Sequence, residues 1–257
     1  MSTYLAELFS LSQRLAVVTG GSSGIGLGIA RALGLAGAAL VLVARPSQRL
    51  DAAAAELTDQ GITVGTVAAD LADRAAVTAA AEQIVAGHGE PDILVTAAGV
   101  NPRPPLEHLA LADYDRIMAV NLDAAYLLGQ RFGPAMAARG WGRIINIGSQ
   151  QSFRAFGNSG AYGVSKAAVC ALTRSQAEAW SSSGVCCNTL VPGFVRTPLT
   201  EPTFADPDRA AELAARTMVG RNGAPSDFAA AAVFLAGPGS GYVTGQALAV
   251  DGGFSVS

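Results

Sequence analysis

Histidine and cysteine are scarce in this chain of 257 residues, and it has neither long apolar runs nor clusters of positive charge. The two histidines, His88 and His108, stand far apart with no cysteine or carboxylate at ligand spacing. A zinc-dependent reaction therefore lacks its donors, no metal is expected, and any acid or base must come from another residue type. The three cysteines, Cys170, Cys186 and Cys187, suit a reducing compartment. The adjacent pair is badly placed to bond to itself, and all three are expected in the core. A net charge of −3 without a Lys/Arg run offers no basic field for nucleic acid. The apolar stretches fall well short of the ~20 residues of a spanning helix. Residues 1–14 lack a signal-peptide core, so the expected location is cytoplasmic, with no membrane partner.

What the chain does have is apolar content: half its residues are hydrophobic and 14% are charged, which fits a compact core with surface covered by other subunits. Short apolar runs alternate with Ala-rich amphipathic segments, the pattern of repeated βα units around a parallel sheet. Strands are expected at Leu15–Thr19, Ala39–Val43, Ile62–Val67, Ile93–Thr96, Arg143–Ile147, Val185–Leu190 and Ala247–Val250. Helices are expected at about 24–36, 48–60, 73–87, 112–138, 160–181 and 226–236, the fourth being two helices that meet near Asn121. The implied fold class is α/β: one doubly wound domain over 1–257, its seven-stranded, mostly parallel sheet covered by helices on both faces. No linker divides the chain. The proline-rich stretch 192–224 reads as an irregular substrate loop over the carboxyl edge of the sheet, where ligands bind in such folds.

Thr19-Gly20-Gly21-Ser22-Ser23-Gly24-Ile25-Gly26 follows the first strand and opens a helix. Glycine lets the chain turn tightly and brings backbone N–H groups and a helix N-terminus to a pyrophosphate. Gly20, Ser22, Ser23, Gly24, Ile25 and Gly26 are the candidate cradle. An acid that would hold a ribose 2′-hydroxyl is expected at the end of the second strand, but Ala44 stands there, followed by Arg45. Arg45 can pair with a 2′-phosphate, which favours NADP(H) over NAD(H), or it can simply cap the strand. Asp70 is placed to accept from an adenine amine, though a turn-forming Asp would look the same.

Tyr162 and Lys166 are four residues apart on one helix face, and Ser149 lies thirteen residues upstream of the tyrosine. A phenol beside a cation can exchange protons with an alcohol, and a serine hydroxyl can polarise a carbonyl. The same spacing also arises in helices that only pack.

The Gly-rich turn, Ser149 and Tyr-x-x-x-Lys together resemble the short-chain dehydrogenase/reductase family. Asn121, Asn188, Pro192-Gly193, Thr197 and Asp251-Gly252-Gly253 extend the match along the chain. The resemblance implies a Rossmann-type domain that binds a nicotinamide cofactor and interconverts a ketone and a secondary alcohol. It implies that Ser149 binds the carbonyl oxygen and Tyr162 transfers the proton. Lys166 would lower the tyrosine pKa and hold the nicotinamide ribose, and Asn121 would hold a proton-relay water by its carbonyl. It further implies cofactor contacts from Leu71, Ala98, Gly99, Pro192, Gly193, Val195 and Thr197, and a homotetramer or homodimer, for which Val169, Leu172 and Trp180 offer an apolar helix face that could equally pack within the chain. The chain departs from the family at Thr96-Ala97-Ala98-Gly99, where Asn-Asn-Ala-Gly is usual, so sheet bonding is expected to change there more than chemistry. Leu8-Phe9-Ser10-Leu11 and Asn101-Pro102-Arg103-Pro104 resemble the gluconate 5-dehydrogenase branch, and carbonyl reductase members are similar too, so the expected partner is a small carbonyl or alcohol, first a sugar acid or polyol. Arg103 and Arg154 are candidate carboxylate anchors or surface ion pairs, Gln150, Gln151 and Asn158 candidate hydroxyl partners, and Phe153, Phe156 and Phe194 would favour an apolar ketone. An inactive nucleotide-binding scaffold, or an epimerase or dehydratase on the same fold, is the alternative.

Overall fold

Seven hydrophobic runs become the seven strands of one sheet in the computed structural model, which describes residues 3–257. They are β1 (Leu15–Thr19), β2 (Ala39–Ala44), β3 (Val64–Ala68), β4 (Ile93–Thr96), β5 (Gly142–Ile147), β6 (Val185–Pro192) and β7 (Ala247–Val250). The order across the sheet is β3-β2-β1-β4-β5-β6-β7, and every neighbouring pair is parallel. The helices are α1 (Thr3–Phe9), α2 (Gly24–Leu35), α3 (Gln48–Asp59), α4 (Arg74–His88), α5 (Leu111–Met118), α6 (Ala124–Ala138), α7 (Gly160–Trp180), α8 (Glu201–Phe204), α9 (Pro207–Ala215) and α10 (Ala229–Ala236).

Side chains alternate across a strand, and strands buried on both faces therefore feed two cores. Ala16, Val18, Leu40 and Leu42 pack with Ile29 and Leu33 of α2, Leu50 and Leu57 of α3 and Leu235 of α10. Val17, Val41, Val43 and Leu94 face the other way, onto Val77 and Ile84 of α4 and Leu128 and Phe132 of α6. Each of the larger side chains among these contributes about 1.5–3 kcal/mol by leaving water. The chain runs outward from β1 through β2 to β3, then returns to place β4 on the other side of β1. The loops after β1 and β4 diverge at this reversal and leave a crevice at the carboxyl ends of the strands.

Several boundaries differ from the sequence pattern for identifiable reasons. β3 starts at Val64, not Ile62, because the Ile62 N–H donates to the Leu57 carbonyl at the end of α3 while its side chain enters the core. β6 runs on to Pro192, which pairs with Val250 at the strand end, where a missing N–H is tolerated. The stretch 192–224 is not all loop. Pro202 and Pro207 lie in the first turns of α8 and α9, where proline starts a helix instead of breaking it, and the Asp206 carboxylate caps α9 by accepting from the Asp208 and Arg209 N–H groups. As the pattern predicts, two helices, α5 and α6, meet near Asn121; one π-helical turn, Ala119–Asp123, joins them. The segment expected as 226–236 opens with a 3-10 turn before α10, and α1 had no counterpart in the pattern. The supposed outer face of α7 partly packs inward: Val169 is buried, and Trp180 lies so close to Gly133 of α6 that a Cβ there would meet its ring at 2.4 Å. The three cysteines are free and buried. Among the described residues no helix is long and apolar enough to cross a membrane.

Candidate active site

A cleft of about 1010 Å³ opens along the carboxyl ends of the strands, more than the ~300–1,000 Å³ typical of a pocket for one small ligand. Gly20, Ser22, Ser23, Gly24, Ile25, Gly26, Arg45, Asp70, Leu71, Ala98, Gly99, Tyr162, Lys166, Pro192, Gly193, Val195 and Thr197 all line it. The glycine turn is folded tightly enough to bring main chain to a ligand: Gly20 has φ +67°, and a Cβ on Gly26 would lie 2.4 Å from the Gly20 carbonyl oxygen. Ser23, at the N-cap of α2, makes no side-chain cap bond, so the first-turn N–H groups of that helix stay available to an anion. Opposite them, Gly24 approaches the Thr197 side chain, which narrows the cleft between the β1–α2 turn and the segment after β6. These features fit the pyrophosphate of a dinucleotide.

At the end of β2 the lining is Ala44, Arg45, Pro46, Ser47, Gln48 and Arg49, with no acid among them. Neither Arg45 nor Arg49 has an ion-pair partner among the described residues, and both stand exposed beside the N-terminus of α3. Two free guanidinium groups and a helix N-terminus suit a 2′-phosphate better than a bare ribose. Arg49 and Ser47 escaped the sequence reading, although Ser47 carries an N-cap signature and accepts from the Leu50 N–H at 3.3 Å. Asp70 accepts from the Ala72 N–H at 3.0 Å, the turn-forming arrangement, while still lining the cleft.

Ser149, Tyr162 and Lys166 meet in this cleft from β5's carboxyl end and the first turns of α7. Ser149 is held in extended backbone, its hydroxyl accepting from the Gln151 N–H at 3.2 Å. Burial pushes the Tyr162 phenol above its ordinary value, while the Ser149 hydroxyl and the Arg103 guanidinium pull it back. Lys166 is 3% exposed, and burial brings its ammonium down to about 8, with the Cys170 thiol opposing. Its Nζ donates to the Ile147 carbonyl at 2.7 Å and sits 5.8 Å from the centre of the Tyr162 ring. Ser149 and Arg103 thus act on the phenol, in addition to the lysine that the family resemblance names for that role. Asn121 occupies the π turn and does not itself line the cleft. Its amide accepts from the Val100 N–H at 2.8 Å and donates to the Val100 carbonyl and the Ser165 hydroxyl, each at 3.0 Å. It thereby ties the strand β4 loop to α7, and the widened turn is the kind that loosens helical carbonyls at functional sites.

At the family departure, Thr96 donates to Asn146 Oδ1 at 2.7 Å and the Asn146 amide reaches Thr173 and Gln176, so β4, β5 and α7 are linked by other polar groups. The Thr19 hydroxyl accepts from the Ala98 N–H at 3.2 Å, linking β1 to the same loop.

The proposed substrate residues divide. Arg103 is half-buried near Tyr162 with no hydrogen bond or ion pair to a described residue. Gln151 is buried and accepts from the Ser159 hydroxyl. The amide oxygen of Gln150 is buried without a partner among the described residues. Arg154 does not serve as a free anchor: its guanidinium donates to the carbonyls of Phe254, at 3.2 Å, and Ser255. Phe194 is 5% exposed, stacked between Phe156 and Phe254 at 5.1 and 5.4 Å, and so belongs to a small core and not to an open wall. Phe153 points outward at 63% exposure, and Asn158 holds a left-handed turn at φ +53°.

Residues 20–255 match the protein family described as enoyl-(acyl carrier protein) reductase. The gluconate 5-dehydrogenase of Gluconobacter oxydans (strain 621H) is 39% identical over 251 residues, covering 98% of both chains. The galactitol 2-dehydrogenase (L-tagatose-forming) of Cereibacter sphaeroides is 42% identical over 254 residues, 97% of this chain and 98% of its own. A crystal structure of a gluconate 5-dehydrogenase from Burkholderia cenocepacia J2315 in complex with NADP and tartrate superposes with a TM-score of 0.93 at 37% identity, covering 98% of this chain and 99% of that one. With Ser149, Tyr162 and Lys166 converging on a glycine-walled dinucleotide cleft, the chain belongs to the short-chain dehydrogenase/reductase family.

Proposed function

We propose that this oxidoreductase transfers hydride between NADP(H) and the secondary alcohol or ketone of a sugar acid or polyol, with NADP(H) preferred over NAD(H). The observation that carries the reading is the meeting of Ser149, Tyr162 and Lys166 in one cleft with the phosphate-binding turn. Gly20, Ser22, Ser23, Gly24, Ile25 and Gly26 hold the pyrophosphate, Arg45 and Arg49 the 2′-phosphate, and Asp70 and Leu71 the adenine end. Pro192, Gly193, Val195 and Thr197 would hold the carboxamide, and Ala98 and Gly99 line the same cleft. Bound there, the nicotinamide supplies the hydride exchange. Ser149 donates to the substrate carbonyl oxygen, Tyr162 gives or takes its proton, and Lys166 holds a ribose hydroxyl. Asn121 positions the segment at Val100, which lines the cleft, and Arg103 and Gln151 would face the substrate.

The names of the relatives support the substrate class: one acts on gluconate and another on galactitol, and a third was solved with the dicarboxylate tartrate. We read the whole chain as one functional unit, with 192–224 as its substrate segment, working in the cytoplasm as a homotetramer or homodimer. The exposed edge strand β7, with Leu248, and the fully exposed Tyr242 nearby offer the apolar surface such pairing needs.

A panel of gluconate, galactitol and simple ketones, each assayed with NADP(H) and NAD(H) by nicotinamide absorbance, tests this. Oxidation of a hydroxy acid or polyol with NADP+ is expected. Tyr162→Phe should lower kcat by ~10²-fold or more, the scale of a lost acid–base group, while NADP+ binding stays within about twofold. Wild-type turnover by the variant would remove the assigned role.

A further inference from the structure

Among the described residues, Arg103 is a charge near the cleft that has no protein partner. It is half-buried, close enough to Tyr162 to pull on the phenol, and makes no hydrogen bond or ion pair with a described residue. Its guanidinium carbon lies 5.9 Å from the centre of the Phe156 ring. A second guanidinium shares that ring: Arg209 of α9 stands 5.6 Å from the same centre. The two cations are near enough for Arg209 to lower the pKa of Arg103. Arg209 is paired to Glu212 one turn along α9, but that contact engages one of its terminal nitrogens, and the glutamate is 56% exposed and well screened. The position of α9 is fixed, since Leu213 on it is fully buried against Phe194 and Phe254. Two like charges held together on an aromatic platform, with one of them half-dehydrated, form an arrangement that an anion relieves. Guanidinium forks match a carboxylate geometrically.

We propose that Arg209 joins Arg103 in a two-guanidinium clamp for the substrate carboxylate, so that α9 sets the preference for acids over neutral polyols. This rests on the reading above that hydroxy acids are among the substrates. The carboxylate docks on the Phe156 side while the reacting carbon lies at Ser149 and Tyr162. A neutral polyol offers the clamp only hydroxyls and leaves both cations without a counter-charge. Specificity then resides on a helix outside the dinucleotide cleft, carried by a residue that belongs to none of the family's motifs.

Arg209→Gln keeps the helix and the packing of the side-chain stem while removing the charge. It should raise KM for gluconate by ~10-fold more than KM for galactitol, the discrimination expected for one charge-assisted pair. Glu212→Gln, which frees Arg209, should shift the same ratio the other way. Equal changes for the two substrates, or none, overturn the clamp. A second measurement does not need turnover: tartrate titrated calorimetrically into the enzyme loaded with NADP+ should bind the wild type and bind Arg209→Gln at least ~10-fold more weakly. Equal affinity for both proteins, or no binding by the wild type, overturns the proposal. Failure of the wild type to oxidise any hydroxy acid defeats the substrate reading alone, and the tartrate titration then decides the clamp by itself.

Discussion

Lys166 holds a charge where the fold disfavours it. Its ammonium is buried at the Ile147 carbonyl, and its pKa falls from 10.5 to about 8. Below pH 8 the folded and unfolded chains both carry the proton, and the folded state bears the full desolvation penalty. Between pH 8 and 10.5 the unfolded chain is protonated and the folded one is not, so this residue adds stability as the pH rises through that window. At ~1.4 kcal/mol per unit the displacement amounts to about 3 kcal/mol. Lys166→Met, measured without cofactor by denaturant titration, should therefore compare best with the wild type near pH 7 and lose ground steadily between pH 8 and 10. A difference that does not change with pH would show the ammonium to be better solvated than its burial indicates. Such strain is what a site accepts when the charge is needed for a ligand. The spacing of Ser149, Tyr162 and Lys166 was legible because a helix fixes residues four apart on one face. The fate of Arg154 was not, because its partners lie 100 and 101 residues downstream and only the folded chain brings them together.

The turn between β2 and α3 is the element on which the proposed preference for NADP(H) rests. β2 ends at Ala44, no acid lines its tip, and Arg45 and Arg49 flank the first turn of α3. Arg45→Ala should weaken NADPH binding by ~10–100-fold and NADH by less than about twofold, the difference being one charge-assisted contact with a phosphate. Fluorescence titration of both cofactors checks this, and equal losses would return Arg45 to the role of a strand cap. The strands were legible as elements because parallel strands buried on both faces read as continuous apolar runs, as in β2 and β4. The start of α8 and α9 was not, because a proline cluster reads as a helix breaker, whereas Pro202 and Pro207 sit in the first turns of these helices. The π turn at Ala119–Asp123 also left no periodic signal. Its one extra residue is stabilised by Asn121 bonding to Val100 across the chain, a tertiary contact.

Across the molecule, the segment after β5 is joined to the C-terminal residues, and through them to α9. Arg154 donates to the Phe254 and Ser255 carbonyls, Phe254 stacks on Phe194, and Phe194 on Phe156 beside the two arginines. Arg216 adds its guanidinium over Phe254 at 4.4 Å. The region proposed to meet the substrate is therefore built from parts far apart in sequence and stands or falls together. Arg154→Ala removes two bonds from a charged donor, each worth about 1.5–3 kcal/mol when fully sheltered and less here, where the group is only half-buried. A loss of about 2 kcal/mol should lower Tm by roughly 4–8 °C in a domain of this size. Loosening the C-terminal residues should raise KM for gluconate and galactitol by similar factors, since the change acts through the shared scaffold and not through charge recognition. That pattern separates Arg154 from Arg209, whose loss should discriminate between acid and polyol with little effect on Tm. An Arg154→Ala protein with wild-type Tm and a selective loss toward gluconate would instead make Arg154 a substrate contact and require its guanidinium to leave the C-terminal carbonyls when an acid binds.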